Sequence, residues 1–84
     1  MSQVTIHVRL FAIFRETVGT DHISLELPAG STVSDLLQEL SQRWPNLRSV
    51  IKRSAIAINQ EYASAQRPLM PGDEVALIPP VSGG

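Results

Sequence analysis

Residues 72–84 read GDEVALIPPVSGG. Asp73 sits in a turn after Pro71 and Gly72, and residues 74–78 then alternate as a strand does, with Val75 and Leu77 on one face and Ala76 and Ile78 on the other. Pro79 and Pro80 follow. Proline has no N–H to give to a sheet, so strand pairing should stop at Pro79. Its fixed φ keeps the exit extended. Residues 79–84 then reach up to roughly 20 Å, at about 3.3 Å per residue. Gly83 and Gly84 carry no side chains, so the backbone can thread a narrow channel and present the terminal carboxylate. A Gly-Gly end alone carries little, because glycine fills about 7% of positions in ordinary chains. A strand, two prolines, a short spacer and then Gly-Gly is a stronger signal, because each part has a mechanical purpose. The expected division is a folded domain over residues 1–78 and an extended tail over residues 79–84.

The strand that feeds this tail needs partners. Val4, Ile6, Val8 and Leu10 alternate with Thr5, His7 and Arg9, the period-two pattern of a half-buried strand. Phe11 has the parity of the outward set. It is also spaced with Phe14 and Val18 like a helical stripe that ends at Gly19, so a core role and a partner contact both remain open. Ile23, Leu25 and Leu27 predict a second strand that ends at Pro28. Thr32 and Asp35 resemble a capping box. Val33, Leu36, Leu37, Leu40 and Trp44 then lie on one helical face, until Pro45 ends the helix. Leu47, Val50 and Ile51 indicate a further short helical turn. Ile56 and Ile58 alternate with Ala55 and Ala57 in a third strand reaching Asn59, and Tyr62 falls in the following loop.

One amphipathic helix must bury its stripe on the apolar face of a small mixed sheet. The handedness of crossovers places the last strand centrally, beside and parallel to the first. The expected fold is α+β, a ubiquitin-like β-grasp with an extended C-terminal Gly-Gly tail. Parity puts Phe11, if it is not in the core, and Ile78 on outward faces, and the loop residue Tyr62 is a candidate third apolar residue outside the core. Clustered near the tail's exit they would form a patch for a partner, and scattered they would need no explanation.

The bulk properties narrow the function. Eighty-four residues, 43% of them apolar, support one core. Seven basic and eight acidic residues give a net charge of −1 with no basic block, which argues against nucleic-acid binding. The chain has no cysteine, which excludes disulfides, thiolate metal sites and a side-chain thioester. No leader pattern and no stretch of membrane-spanning length is present, so the expected location is the cytoplasm, away from membranes. His7 and His22 lack metal-ligand spacing and read as solvated strand residues. Arg15 and Glu16 read as a surface pair, and Asp73-Glu74 as turn residues. No nucleophile with its base and no phosphate loop appears. The chain therefore reads as one without an active site of its own, whose distinctive reactive group is the Gly84 carboxylate. A carboxylate becomes an acyl donor once adenylated by ATP. An amine then gives a conjugate and a sulfur nucleophile a thiocarboxylate, and either needs a separate activating enzyme.

Phe11-Ala12 with Arg15-Glu16 after the first strand, the Ala57-Ile58-Asn59 strand end and above all GDEVALIPPVSGG resemble the small, sulfur-carrying subunits of molybdopterin synthases. The resemblance covers nearly the whole chain. It implies that Gly84 is adenylated and converted to a thiocarboxylate, and that no cofactor is bound beyond the ATP the activating enzyme consumes. It implies further that Pro79, Pro80, Val81, Ser82 and Gly83 insert into the large subunit, which supplies the catalytic side chains. Phe11 and Ile78 stand where partner contacts would fall. The sulfur would pass to cyclic pyranopterin monophosphate. The implied partners are the large synthase subunit in a heterotetramer, an adenylating activating enzyme and a sulfurtransferase donor. The alternatives are a sulfur carrier for thiamin, tRNA thiolation or cysteine synthesis, a ubiquitin-like protein modifier, and a plain interaction domain.

Overall fold

The computed structural model describes residues 2–80. The period-two segments of the chain fold into one mixed sheet. The strands are β1 (Gln3–Leu10), β2 (His22–Pro28), β3 (Ala55–Ile58), β4 (Glu61–Tyr62) and β5 (Glu74–Ile78), in the spatial order β2-β1-β5-β3-β4. β1 and β5 are parallel, with Val8 opposite Val75 and Leu10 opposite Leu77. The other pairings are antiparallel. The expected central, parallel placement of the last strand is what the sheet adopts, and pairing ends at Ile78, one residue before Pro79.

Three helices connect the strands: α1 (Ile13–Val18), α2 (Val33–Arg43) and α3 (Arg48–Lys52), the last preceded by a 3₁₀ turn at Pro45–Leu47. α2 begins with a complete capping box. The Asp35 N–H donates to Thr32 Oγ1 at 3.4 Å, and the Thr32 N–H donates to Asp35 Oδ2 at 2.9 Å. Two N–H groups that the first helical turn leaves without backbone partners are satisfied this way. Val33, Leu36 and Leu40 are buried against the inward strand residues Ile6, Val8, Leu25, Val75 and Leu77 in one cluster, whereas Leu37 and Trp44 pack on it only partly. Burying each large apolar side chain stabilises by about 1.5–3 kcal/mol, which makes this helix–sheet seam the main source of stability.

Several local features differ from the sequence expectations. Phe11 takes no part in the α1 stripe: Phe14 is fully buried and Val18 partly so, while Phe11 is 41% exposed. Asn59 does not extend β3. It forms a tight turn with Gln60, both at positive φ (50° and 73°), and that turn reverses the chain into β4. Tyr62 is therefore a strand residue and not part of a loop. Arg15 and Glu16 are both exposed, and the ion pairs among the described residues lie elsewhere, at Arg9–Glu74 (4.0 Å) and Arg43–Glu39 (2.8 Å). No helix among the described residues is long and apolar enough to cross a membrane.

Candidate functional site

The outer face of the sheet, opposite α2, carries the site. In β3 the small residues Ala55 and Ala57 face outward, since Ile56 and Ile58 oppose the core residues Leu77 and Val75. Ala57 lies between Ala76 on β5 and Tyr62 on β4. The two alanines leave a hollow of about 440 Å³, lined by Phe11, Ala57, Gln60, Tyr62, Ala76 and Ile78. The three outward apolar residues, far apart in sequence, thus meet in one depression. Tyr62 stands 78% exposed on its rim. Soluble domains seldom leave a contiguous apolar surface bare without a binding role.

Strand order explains this meeting. β5 lies between β1 and β3, so its C-terminal end leaves from the middle of the sheet. Ile78 pairs with Ala55 on one side, and β1 ends at Leu10, opposite Leu77, on the other. Phe11 is the next residue after that β1 end. Pro79 is half-buried and Pro80 exposed, so the chain moves outward as it leaves the depression. Val81, Ser82, Gly83 and Gly84, which carry the reactive carboxylate and most of the inserted segment expected from the sequence, lie outside the described residues.

The backbone under Phe11 is held in an unusual shape. Ala12 has φ 51° and ψ −121°, and the Phe14 N–H donates to the Phe11 carbonyl at 3.0 Å, closing a turn of the II′ kind. Glycine normally fills that position, because a Cβ there clashes with the backbone. The strain, on the order of 1–3 kcal/mol, turns the chain sharply out of β1 and leaves Phe11 on the surface. Replacing Ala12 by Gly should therefore raise stability by about 1 kcal/mol after the extra unfolded-state entropy of glycine is subtracted. Urea unfolding of A12G would show this as a higher midpoint at constant slope, and a lower midpoint would contradict it.

A second support lies at the opposite end of β5. Asp73, 7% exposed, accepts from the Met70 N–H at 2.8 Å and from Asn59 Nδ2 at 3.0 Å, and Asn59 Oδ1 accepts from the Glu74 N–H at 3.1 Å. These bonds tie the β3–β4 turn to the start of β5, which fixes Gln60 and Tyr62 relative to Ala76. The pairing of Asn59 with Asp73 was not legible in the sequence; an Asn closing a strand and an Asp following Pro-Gly were the available signals.

Charge sits at the margin. The Arg9 guanidinium lies 5.6 Å from the Phe11 ring centroid and faces Glu74. Beyond Arg9, His7 and His22 stack with ring centroids 5.6 Å apart, and Ser24 Oγ lies 3.4 Å from His7 Nδ1. Among the described residues no three His, Asp, Glu or Cys side chains gather as metal ligands would. The described part of the site offers a docking surface and an exit for the chain, without a nucleophile and base.

Comparison with known proteins identifies the group. The ThiS family pattern matches residues 8–84. The molybdopterin synthase sulfur carrier subunit of Arabidopsis thaliana is 41% identical over 83 residues, covering 99% of this chain and 86% of the relative. Among solved structures, small archaeal modifier protein 1 of H. volcanii superposes with a TM-score of 0.84 at 28% identity, covering 93% of this chain and 99% of that one. A complex of subunits 1 and 2 of molybdopterin-converting factor from Helicobacter pylori contains a chain that superposes with a TM-score of 0.64 at 27% identity, covering 96% of this chain and all of that one. The fold agrees with these likenesses, and the chain belongs to the ThiS family, among the molybdopterin synthase sulfur carrier subunits.

Proposed function

We infer that this chain carries sulfur on its own C-terminus for the synthesis of molybdopterin. The observation that supports the reading best is that the central strand β5 ends beside an apolar depression and passes into an exposed Pro80, after which the sequence continues Val-Ser-Gly-Gly. In this reading a separate enzyme uses ATP to convert the Gly84 carboxylate to an acyl-adenylate, releasing pyrophosphate. The terminal sulfur of a persulfide on a sulfurtransferase then attacks the acyl carbon and expels AMP, and a second thiol cleaves the S–S bond of the resulting acyl disulfide, leaving the thiocarboxylate and a disulfide. The large synthase subunit covers Phe11, Tyr62 and Ile78 and admits residues 79–84 to its active site, where the sulfur passes to cyclic pyranopterin monophosphate. The thiocarboxylate sulfur bonds to the acceptor as a thioester, and attack of water on the acyl carbon breaks the C–S bond, leaving the sulfur on the acceptor and returning the carboxylate for another round. Each large subunit binds one such chain, and two large subunits pair in a heterotetramer in the cytoplasm.

The division of labour follows from the chemistry. In this reading the acid, base and nucleotide-binding groups for these steps come from the partner enzymes. The domain supplies affinity through the depression and reach through the tail, so the reacting carbon is placed by two anchored elements. A complex of subunits 1 and 2 in a structural neighbour supports the identity of the large partner. Incubating the thiocarboxylated chain with the purified large subunit and cyclic pyranopterin monophosphate should yield molybdopterin. Failure there, together with sulfur delivery to a thiamin precursor or a tRNA, would move the carrier to another pathway.

A protein modifier is a second reading, supported by the likeness to small archaeal modifier protein 1. It shares the adenylation step and ends on an amine instead of sulfur. Lysine-linked adducts of this chain on other proteins would favour it.

A further inference from the structure

We propose that a second groove, on the helix side of the sheet edge, binds an extended acidic segment of a partner protein. The groove has a volume of about 610 Å³ and runs between α2, α3 and the β3–β4 edge. Its apolar lining includes Leu37, Ile51 and Ile56, and Arg48 and Lys52 stand on its wall. These two cations are four residues apart on α3, so they project from the same helix face. No acidic residue lines the groove.

The charge distribution sharpens this feature. Although the chain is slightly acidic overall, residues 40–60 contain Arg43, Arg48, Lys52 and Arg53 and no Asp or Glu. Arg43 is taken up by Glu39 at 2.8 Å. Arg48, Lys52 and Arg53 are exposed, and none of them enters an ion pair within the described residues. Neighbouring acids do not offset them: Glu39 borders a different hollow, beside Asp35, and Glu61 lies outside the groove lining. A cationic wall beside an apolar floor complements a segment that alternates carboxylates with apolar side chains. A small anion such as phosphate would neutralise the wall and leave the floor bare. A nucleic-acid strand would want several aromatic platforms, whereas Tyr62 is the one aromatic side chain in the lining.

Tyr62 borders both this groove and the outer-face depression. A partner seated over Phe11 and Ile78 could therefore continue past the two-residue edge strand β4 into the groove. The proposal itself needs only the groove and holds whether the chain serves as carrier or modifier.

The test is a titration of the isotope-labelled full chain, followed by backbone amide NMR, with an acetylated peptide of Glu-Glu-Leu repeats. Expected are shifts at Arg48, Lys52, Ser54 and Ala63, absent with a Lys-Lys-Leu peptide and weakened with a Glu-Glu-Ser peptide. Raising salt from about 0.05 to about 0.5 M should weaken binding at least about fivefold, because the Debye length shrinks below the spacing of the charges. The Arg48→Glu, Lys52→Glu double variant should weaken it at least about tenfold. Both residues are exposed, so an unchanged spectrum elsewhere would certify the fold of the variant. Equal response to the basic peptide, unchanged binding by the double variant, or shifts confined to Phe11 and Ile78 would overturn the proposal. Saturation by inorganic phosphate or by a short RNA at lower concentration than the acidic peptide would also overturn it, in favour of a plain anion or nucleic-acid site.

Discussion

Deleting Gly84 should abolish sulfur transfer and leave the fold untouched. The core among the described residues runs from Val4 to Leu77, seven positions before the deleted residue. The deletion moves the terminal carboxylate back by one residue, about 3.3 Å. A misplacement of about 1 Å at a reacting centre can already cost about 10²-fold in rate. The loss of molybdopterin formation should therefore exceed about 10²-fold, with a thermal midpoint equal to that of the intact chain. The comparison separates the carrier reading from an incidental Gly-Gly end, since a plain interaction domain would keep its activity after the deletion. Gly84→Ala is the milder companion. It keeps the length, adds one methyl group beside the terminal carboxylate, and should reduce the rate by less than the deletion does.

Ile78→Asp should weaken binding to the large synthase subunit at least about 10²-fold. Ile78 occupies the depression just before the chain leaves the sheet. Covering this half-buried side chain with a partner would contribute less than the about 1.5–3 kcal/mol of a full burial, and most of the loss would come from a carboxylate that must either lose water without a partner or hold the surfaces apart. Phe11→Ala should act in the same direction and less strongly, because the ring is partly exposed and already engaged by Arg9. Calorimetric titration against the large subunit reads both effects. An unchanged dissociation constant for Ile78→Asp would remove the depression from the interface. Ile78 faces away from the core, so the variant should remain folded, and the melting curve provides the control.

How much of this was legible beforehand depended on the kind of signal. Val4, Ile6, Val8 and Leu10 announced β1 because one face of that strand is buried and the other is not, and the same held for Leu25 with Leu27 and Val75 with Leu77. The Thr32–Asp35 box and the leucine stripe announced α2 because capping and burial leave residues at fixed spacing. β4 was missed because two residues carry no periodicity, and because its turn is made by Asn59-Gln60 with no glycine to mark the positive φ of the second residue. Ala12 was invisible for the same reason: a non-glycine residue holds a glycine conformation there.

The site was half legible. Parity gave Ile78 an outward position and left Phe11 open between core and surface, but their meeting with Tyr62 depends on the order β1-β5-β3-β4, a long-range property that no local pattern encodes. The floor of the depression is made by two alanines, Ala57 and Ala76, whose importance is their small size. Sequence reading tends to pass over such residues, because a hollow is recorded by what is missing from it. The basic groove was passed over too, since Arg48 and Lys52 belong to no dense basic run and their shared face appears only once α3 is formed.

The most direct test of the central claim is the mass of the chain as its own cells make it. The protein should be isolated with its partners and its intact mass measured under denaturing conditions. A fraction heavier by one oxygen-for-sulfur exchange, localised to the C-terminal peptide and accompanied by a large synthase subunit, is the predicted result. A chain with an unexchanged terminus that is found instead joined through Gly84 to lysines of other proteins would contradict it.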